Sequence, residues 1–208
     1  NATKGQSILF DLNGYMLQNQ YDTEGDTEFH FANSGVTLTI MDSRSGGKMN
    51  AEINGNAQGD HIIINGGTIY GSVSGASSGA VDADAAASNG TVTINGGTVN
   101  GYVYGSVATV SKRSATASGS ASASGGTVNV NGGTINGKVS GSLQSMINSN
   151  GIPAESSGDG TVNISGKGIH ISQAIQCCTR LNFTVPADIK ASDVMVTTDM
   201  NDFDFNGI

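Results

Sequence analysis

The chain has 208 residues with a formal net charge of −8, and its Lys and Arg together number only 9, which excludes the basic surface a nucleic-acid partner requires. Glycine accounts for 31 positions, proline for 2 and tryptophan for none. No stretch approaches the roughly twenty apolar residues a membrane-spanning helix needs, so no transmembrane segment is expected.

In chain order, Ser7–Leu17 (S-I-L-F-D-L-N-G-Y-M-L) reads as two short strands around Asn13-Gly14. Gln18–Glu28 is a polar excursion with Asp22, Glu24, Asp26 and Glu28 at alternate positions. Extended, the stretch places all four carboxylates on one face. That row is a candidate Ca²⁺ site, because calcium takes irregular sets of hard oxygen ligands. The plain alternative is a solvated, charged sheet edge. In Phe29–Asp42, Val36, Leu38 and Ile40 alternate with Thr37, Thr39 and Met41, the period of a strand.

A phrase then returns: Ile62–Gly71, Thr91–Gly101 and Thr127–Gly137 share an N-G-G-T core opened by Asn65, Asn95 and Asn131, at spacings of 30 and 36 residues. A worn copy, T-V-N-I-S-G-K-G-I, starts at Thr161. Within a unit, Val92 and Ile94 alternate with Thr91 and Thr93, Asn-Gly-Gly supplies a turn, and Gly101 marks a bend before the next strand. Self-similarity at this period predicts units that stack because none can bury its own apolar face. A tandem of hairpins is the competing arrangement. The matching places of Ile64, Ile94, Val130 and Ile164, and of Ile69, Val99 and Ile135, favour a parallel β-helix of roughly six coils. Asn65, Asn95 and Asn131 are then expected to form a ladder at an inner or tight corner.

Two stretches rich in Ala, Ser and Gly interrupt the units, Ala76–Asn89 and Ala108–Gly125. They read as long loops leaving one side of the stack, since both follow the same segment of the unit. Ser142–Ser157 is a further excursion, in which Leu143–Ile147 reads as a helical turn. The regular part is expected to loosen at Ser165, where the Asn series ends. Residues 173–208 read as terminal coils or a capping segment of the same domain as residues 1–172.

Candidate chemistry is sparse. His30, His61 and His170 are scattered, with no H-x-x-H spacing. Cys177 and Cys178 are adjacent and too few for a thiolate metal site. Tyr70, Tyr102 and Tyr104 follow N-G-G-T cores and could stack on sugar rings or anchor a protein contact. The plain alternative is that they stack on one another or beneath the Ala/Ser inserts.

D-L-N-G at Asp11–Gly14, L-T-I-M-D-S at Leu38–Ser43 and the following N-G-G-T-I-Y-G resemble adhesin-like right-handed β-helix repeat domains of large cell-surface proteins of gut and oral bacteria. The match covers about residues 7–141 and runs faintly to 172. The resemblance implies an all-β, right-handed parallel β-helix with an irregular C-terminal region or cap. It implies an extracellular or cell-surface, non-catalytic display module, with a glycan or a host or bacterial surface protein as partner. Attachment to a cell would then need parts of a longer precursor. A carbohydrate-active lyase or hydrolase and a purely structural spacer are the alternatives.

Overall fold

The computed structural model describes residues 3–18, 28–184 and the strand Val194–Thr198. The described residues form strands, turns and bends, with no helix among them. One itinerary repeats. The first unit supplies β1 (Ser7–Asp11), β2 (Met16–Leu17) and β3 (Glu28–His30). The second supplies β4 (Thr37–Met41), β5 (Lys48–Met49) and β6 (Glu52–Asn54). The third has β7 (His61–Ile64), β8 (Thr68–Ile69) and β9 (Val73–Val81), then a return strand, β10 (Ala85–Ser88). The fourth has β11 (Thr91–Ile94), β12 (Thr98–Val99) and β13 (Val103–Ser111). The fifth has β14 (Ala121–Val130), β15 (Gly133–Ile135), β16 (Val139–Ile147) and β17 (Pro153–Ser157). β18 (Asp159–Ser165), β19 (Ile169–Gln176), β20 (Arg180–Thr184) and β21 (Val194–Thr198) complete the order.

First strands stack in an 8-stranded sheet, β1-β4-β7-β11-β14-β18-β20, with β10 also beside β14. Second and third strands share a 13-stranded sheet, joined through β19. Every pairing is parallel except β16 with β17. Thr91–Ile94 pairs with His61–Ile64 on one side and Thr127–Val130 on the other, and not with Thr98–Val99. That register rules out the tandem of hairpins.

Three apolar columns run through the stack. Ile64, Ile94, Val130 and Ile164 align in the first sheet. Ile69, Val99, Ile135 and Ile171 align on the second strands, and Val73, Val103, Val139 and Ile175 on the third. All are buried in one core. Between the first two columns, the second glycine of each N-G-G takes a left-handed φ: +84° at Gly67, +83° at Gly97 and +86° at Gly133. A Cβ there is strained, so the corner needs glycine.

The Ala/Ser inserts are not loops. β9, β13 and β16 run past the main core, and β10 and the first half of β14 come back against them. Ala76, Ala85, Ala87, Ala108, Val110 and Ala123 bury a second, thinner core between the layers. We call this two-layer projection the fin. Alternating alanines suffice for it because small side chains let two sheets approach closely. Both inserts do leave from the same corner. Leu143–Ile147 is likewise strand, not helical turn, and β17 folds back antiparallel to it, with Ile147 opposite Pro153. β17 is exposed throughout, and its proline cannot donate to a further strand, which blunts this edge of the fin.

Two glycine columns meet where fin and body join. Gly75, Gly105 and Gly141 lie on outgoing strands, and Gly90, Gly126 and Gly160 on returning chain. A Cβ on Gly105 would sit 2.5 Å from both Gly126 C and Gly141 O. Buried Ser106 accepts from the Gly90 N–H at 3.3 Å and donates to Ser124 O at 3.2 Å. Ser142 repeats the pattern one unit on, with the Gly126 N–H at 3.0 Å and Asp159 O at 2.8 Å. The neck is thus a close backbone crossing in which the Ser106 and Ser142 hydroxyls are satisfied, while the buried Ser140 Oγ beside Gly141 has no partner.

Aspartates fasten the early units. Asp11 Oδ1 accepts the Ser43 N–H at 3.0 Å, and Asp42 Oδ1 accepts the Gly14 N–H at 2.7 Å, a reciprocal tie between neighbouring units. Buried Asp60 accepts from Val36 and Asn56, each at 2.7 Å. Ser43, through its side chain first and its backbone second, holds the Asp11 carboxyl below the ordinary aspartate range, and Ser120 does the same for Asp84 in the fin. A depressed folded-state pKa contributes stability above the unfolded value, near 3.9, and loses it as pH falls through the folded value. The melting temperature should therefore hold down to about pH 4 and fall below it. In Asp11→Asn, melting curves across that window should show a shallower fall.

The stack does not loosen at Ser165. β18 and β20 stay in register from Thr161 opposite Arg180 to Ser165 opposite Thr184. The slip comes in the other sheet, between His170 and Ala174 where β19 meets β21.

Candidate functional site

Among the described residues, the third strands carry a recess that unites residues singled out from the sequence. Their outward positions align in rows. Glu28 faces Glu52 across β3 and β6. Asn54 faces Ser74, which faces Tyr104. Val73 and Val103 point inward, which turns Ser72 and Tyr102 outward beside that row. Where β9, β13 and β16 bend past the neck into the fin, the face becomes concave. The result is a groove of about 420 Å³ lined by Glu28, Glu52, Tyr102, Tyr104, Leu143 and Glu155, with Ser and Thr side chains between them.

Tyr102 and Tyr104 meet edge to face, centroids 6.0 Å apart at 63°. Tyr102 is 42% exposed, so part of its side chain is open to solvent. Tyr104 is half-buried; burial first, then Tyr102, Glu155 and Glu52, push its hydroxyl pKa up. Both carboxylates therefore act on the same phenol. Glu155 reaches the groove from β17 and lies 3.9 Å from Lys138 Nζ, while Gln176 Nε2 donates to it at 3.2 Å.

Tyr70 is exposed but does not line this groove, so the three tyrosines do not form one platform. Asn95 Nδ2 donates to Asn65 Oδ1 at 2.8 Å, Asn131 to Asn95 at 2.9 Å, and Ser165 Oγ continues to Asn131 at 2.9 Å. The amides lie on the exposed outside of the corner, not inside it, because the inward places are taken by Ile64, Ile94 and Val130. A solvated amide bond is worth less than a buried one. Asn95→Ala should cost about 1 kcal/mol, read from urea or thermal melts.

Two further ladders follow from the same register. Asn136 Nδ2 donates to Asn100 Oδ1 at 2.7 Å. On the outer face of the first sheet, Asn129 donates to Thr93, Asn163 to Asn129 and Asn182 to Asn163, at 3.2, 2.8 and 2.7 Å. His61 Nε2 lies 3.0 Å from Thr93 Oγ1, and burial lowers its pKa. The signal was present in T-V-T, T-V-N and T-V-N at matching places of successive units.

Of the candidate calcium row, Asp22, Glu24 and Asp26 lie outside the described residues, and Glu28 lines the groove. Among the described residues no group of three or more His, Cys, Asp or Glu side chains could hold a metal. Cys177 is partly exposed and Cys178 buried, and neither is in a disulfide. No helix among the described residues is long and apolar enough to cross a membrane.

Fold and site together define an all-β chain of stacked parallel units with a mixed acidic and aromatic groove along one side. Compared with known proteins, it matches no family model, no curated protein and no solved structure.

Proposed function

We propose that the chain is a right-handed parallel β-helix that works as a rigid extracellular display module and holds a glycan in the third-strand groove. In-register parallel stacking supports the coil, and parallel strands joined by crossovers are overwhelmingly right-handed. The observation that carries the function is the Tyr102–Tyr104 pair, Tyr102 partly exposed, set among carboxylates and hydroxyls on a stiff concave face. Aromatic faces stack on the C–H faces of sugar rings, while carboxylates and hydroxyls take up sugar hydroxyls. Stacked strands supply the fixed spacing.

A carbohydrate-active enzyme is the second reading, favoured by Glu28 and Glu52 side by side in the groove. Two acids close across a sugar are what glycoside hydrolysis requires. One experiment separates the readings: a glycan array probed with the intact chain, with reducing-sugar release measured on the same polymers. Binding without release is expected, and Tyr102→Ala should weaken it by at least about tenfold. Sugar release would move the assignment to the enzyme. Absence of binding on every polymer would leave a structural spacer.

A further inference from the structure

The groove has a sign. Its charged lining residues are Glu28, Glu52 and Glu155, with no Lys or Arg among them. Lys138, the nearest cation with an ion pair at this place, is already opposite Glu155 at 3.9 Å. The carboxylates are spread along the stack. Glu28 and Glu52 lie on β3 and β6, Tyr104 on β13 and Tyr102 just before it, two strands beyond β6, and Glu155 on β17 beyond β16. At about 4.8 Å per strand, Glu52 and the tyrosines are about 10 Å apart, the length of a disaccharide. From Glu28 to Glu155 the groove crosses β3, β6, β9, β13, β16 and β17 and spans roughly 24 Å. A uronate or sulfated sugar laid there would meet like charge at Glu28 and Glu52, where an amine would meet a carboxylate; Glu155 at the other end already faces Lys138.

Resting on the reading of this groove as a glycan site, we propose that its ligand is a cationic amino-sugar oligomer, one ring over Tyr102 and free amines toward Glu28 and Glu52. Hexosamine units whose amines are not acetylated satisfy this description. N-acetylation removes the charge and adds bulk, so the groove discriminates between the two states of the same polymer. The raised pKa of Tyr104, caused in part by Glu155 and Glu52, agrees with a negative field over the aromatic pair.

The test is calorimetric titration of the intact chain at about pH 5.5, where ordinary glutamates are ionised and hexosamine amines protonated. The probes are a glucosamine tetramer, its N-acetylated counterpart, a galacturonate tetramer and tetralysine. The glucosamine tetramer should bind at least tenfold tighter than the other three. Raising salt from about 0.05 to 0.5 M should weaken it several-fold, and Glu28→Gln/Glu52→Gln should weaken it about tenfold with an unchanged melting curve. The salt series on the unmodified chain decides the point even if that variant folds poorly. Equal or tighter binding of the acetylated or galacturonate tetramer would overturn the charge assignment and leave the glycan reading standing. Equal binding of tetralysine would overturn the sugar assignment. Failure of every oligosaccharide to bind would remove both.

Discussion

Gly105→Ala should abolish cooperative folding or lower stability by more than about 4 kcal/mol. At the neck the added methyl would lie 2.5 Å from Gly126 C and Gly141 O. Both are backbone atoms in paired strands, so neither can step aside as a side-chain tip could. Relief requires parting the outgoing and returning strands, which removes the Ser142–Gly126 bond and exposes the alanine core beyond it. Gly79→Ala is the internal control, since a Cβ there meets nothing within 4 Å. That variant should melt within about 0.5 kcal/mol of the parent. Urea unfolding of the pair measures the difference on one chain; similar midpoints for the two would mean the crossing is looser than described.

Ile94→Ala should cost about 2–5 kcal/mol. Ile94 is fully buried and stands in column with Ile64 and Val130, units before and after it. The neighbours are fixed in register by their own backbone bonds, so the site collapses little around the cavity and the cost falls toward the upper end. One residue further on, Asn95 points out at the corner, and its loss should be several-fold milder. Chemical denaturation of Ile94→Ala and Asn95→Ala side by side tests which way each column faces. Equal losses would contradict the assignment of inside and outside.

The inward columns were legible because Ile and Val alternate with Thr and recur beside an unchanging N-G-G. The corner glycines were legible for the same reason, since glycine takes a left-handed φ most cheaply and a Cβ at Gly97 would also meet Gly67 O at 2.6 Å. Which side of the corner Asn95 takes was not, because an amide ladder can form equally on either side of a turn. The fin was misread as loop. Ala85 and Ala87 carry too little apolar surface to signal a strand, and their burial depends on β13 and β14, which lie further along the chain. The glycines that permit this approach, Gly75 to Gly160, look like low complexity until two columns are seen to cross. The groove was half legible. Tyr102 and Tyr104 stood out as aromatics after a repeat core. Glu52 and Glu155 did not, since more than half the groove's acidic lining comes from units distant in sequence. Only the stacking offset and the antiparallel turn of β17 bring them beside the same phenol.

The core columns, the fin and the groove all depend on neighbouring units lying parallel and in register, so a cysteine pair placed across that register is the most direct test. Thr93 and Asn129 are direct partners on β11 and β14. At a strand spacing of about 4.8 Å their Cα atoms fall within the range a disulfide spans. Thr93→Cys/Asn129→Cys, oxidised in the folded state and digested without reduction, should yield one peptide pair linked through positions 93 and 129 by mass spectrometry. A folded protein in which both cysteines remain free, or link elsewhere, would contradict the stacked-unit architecture and the groove built on it.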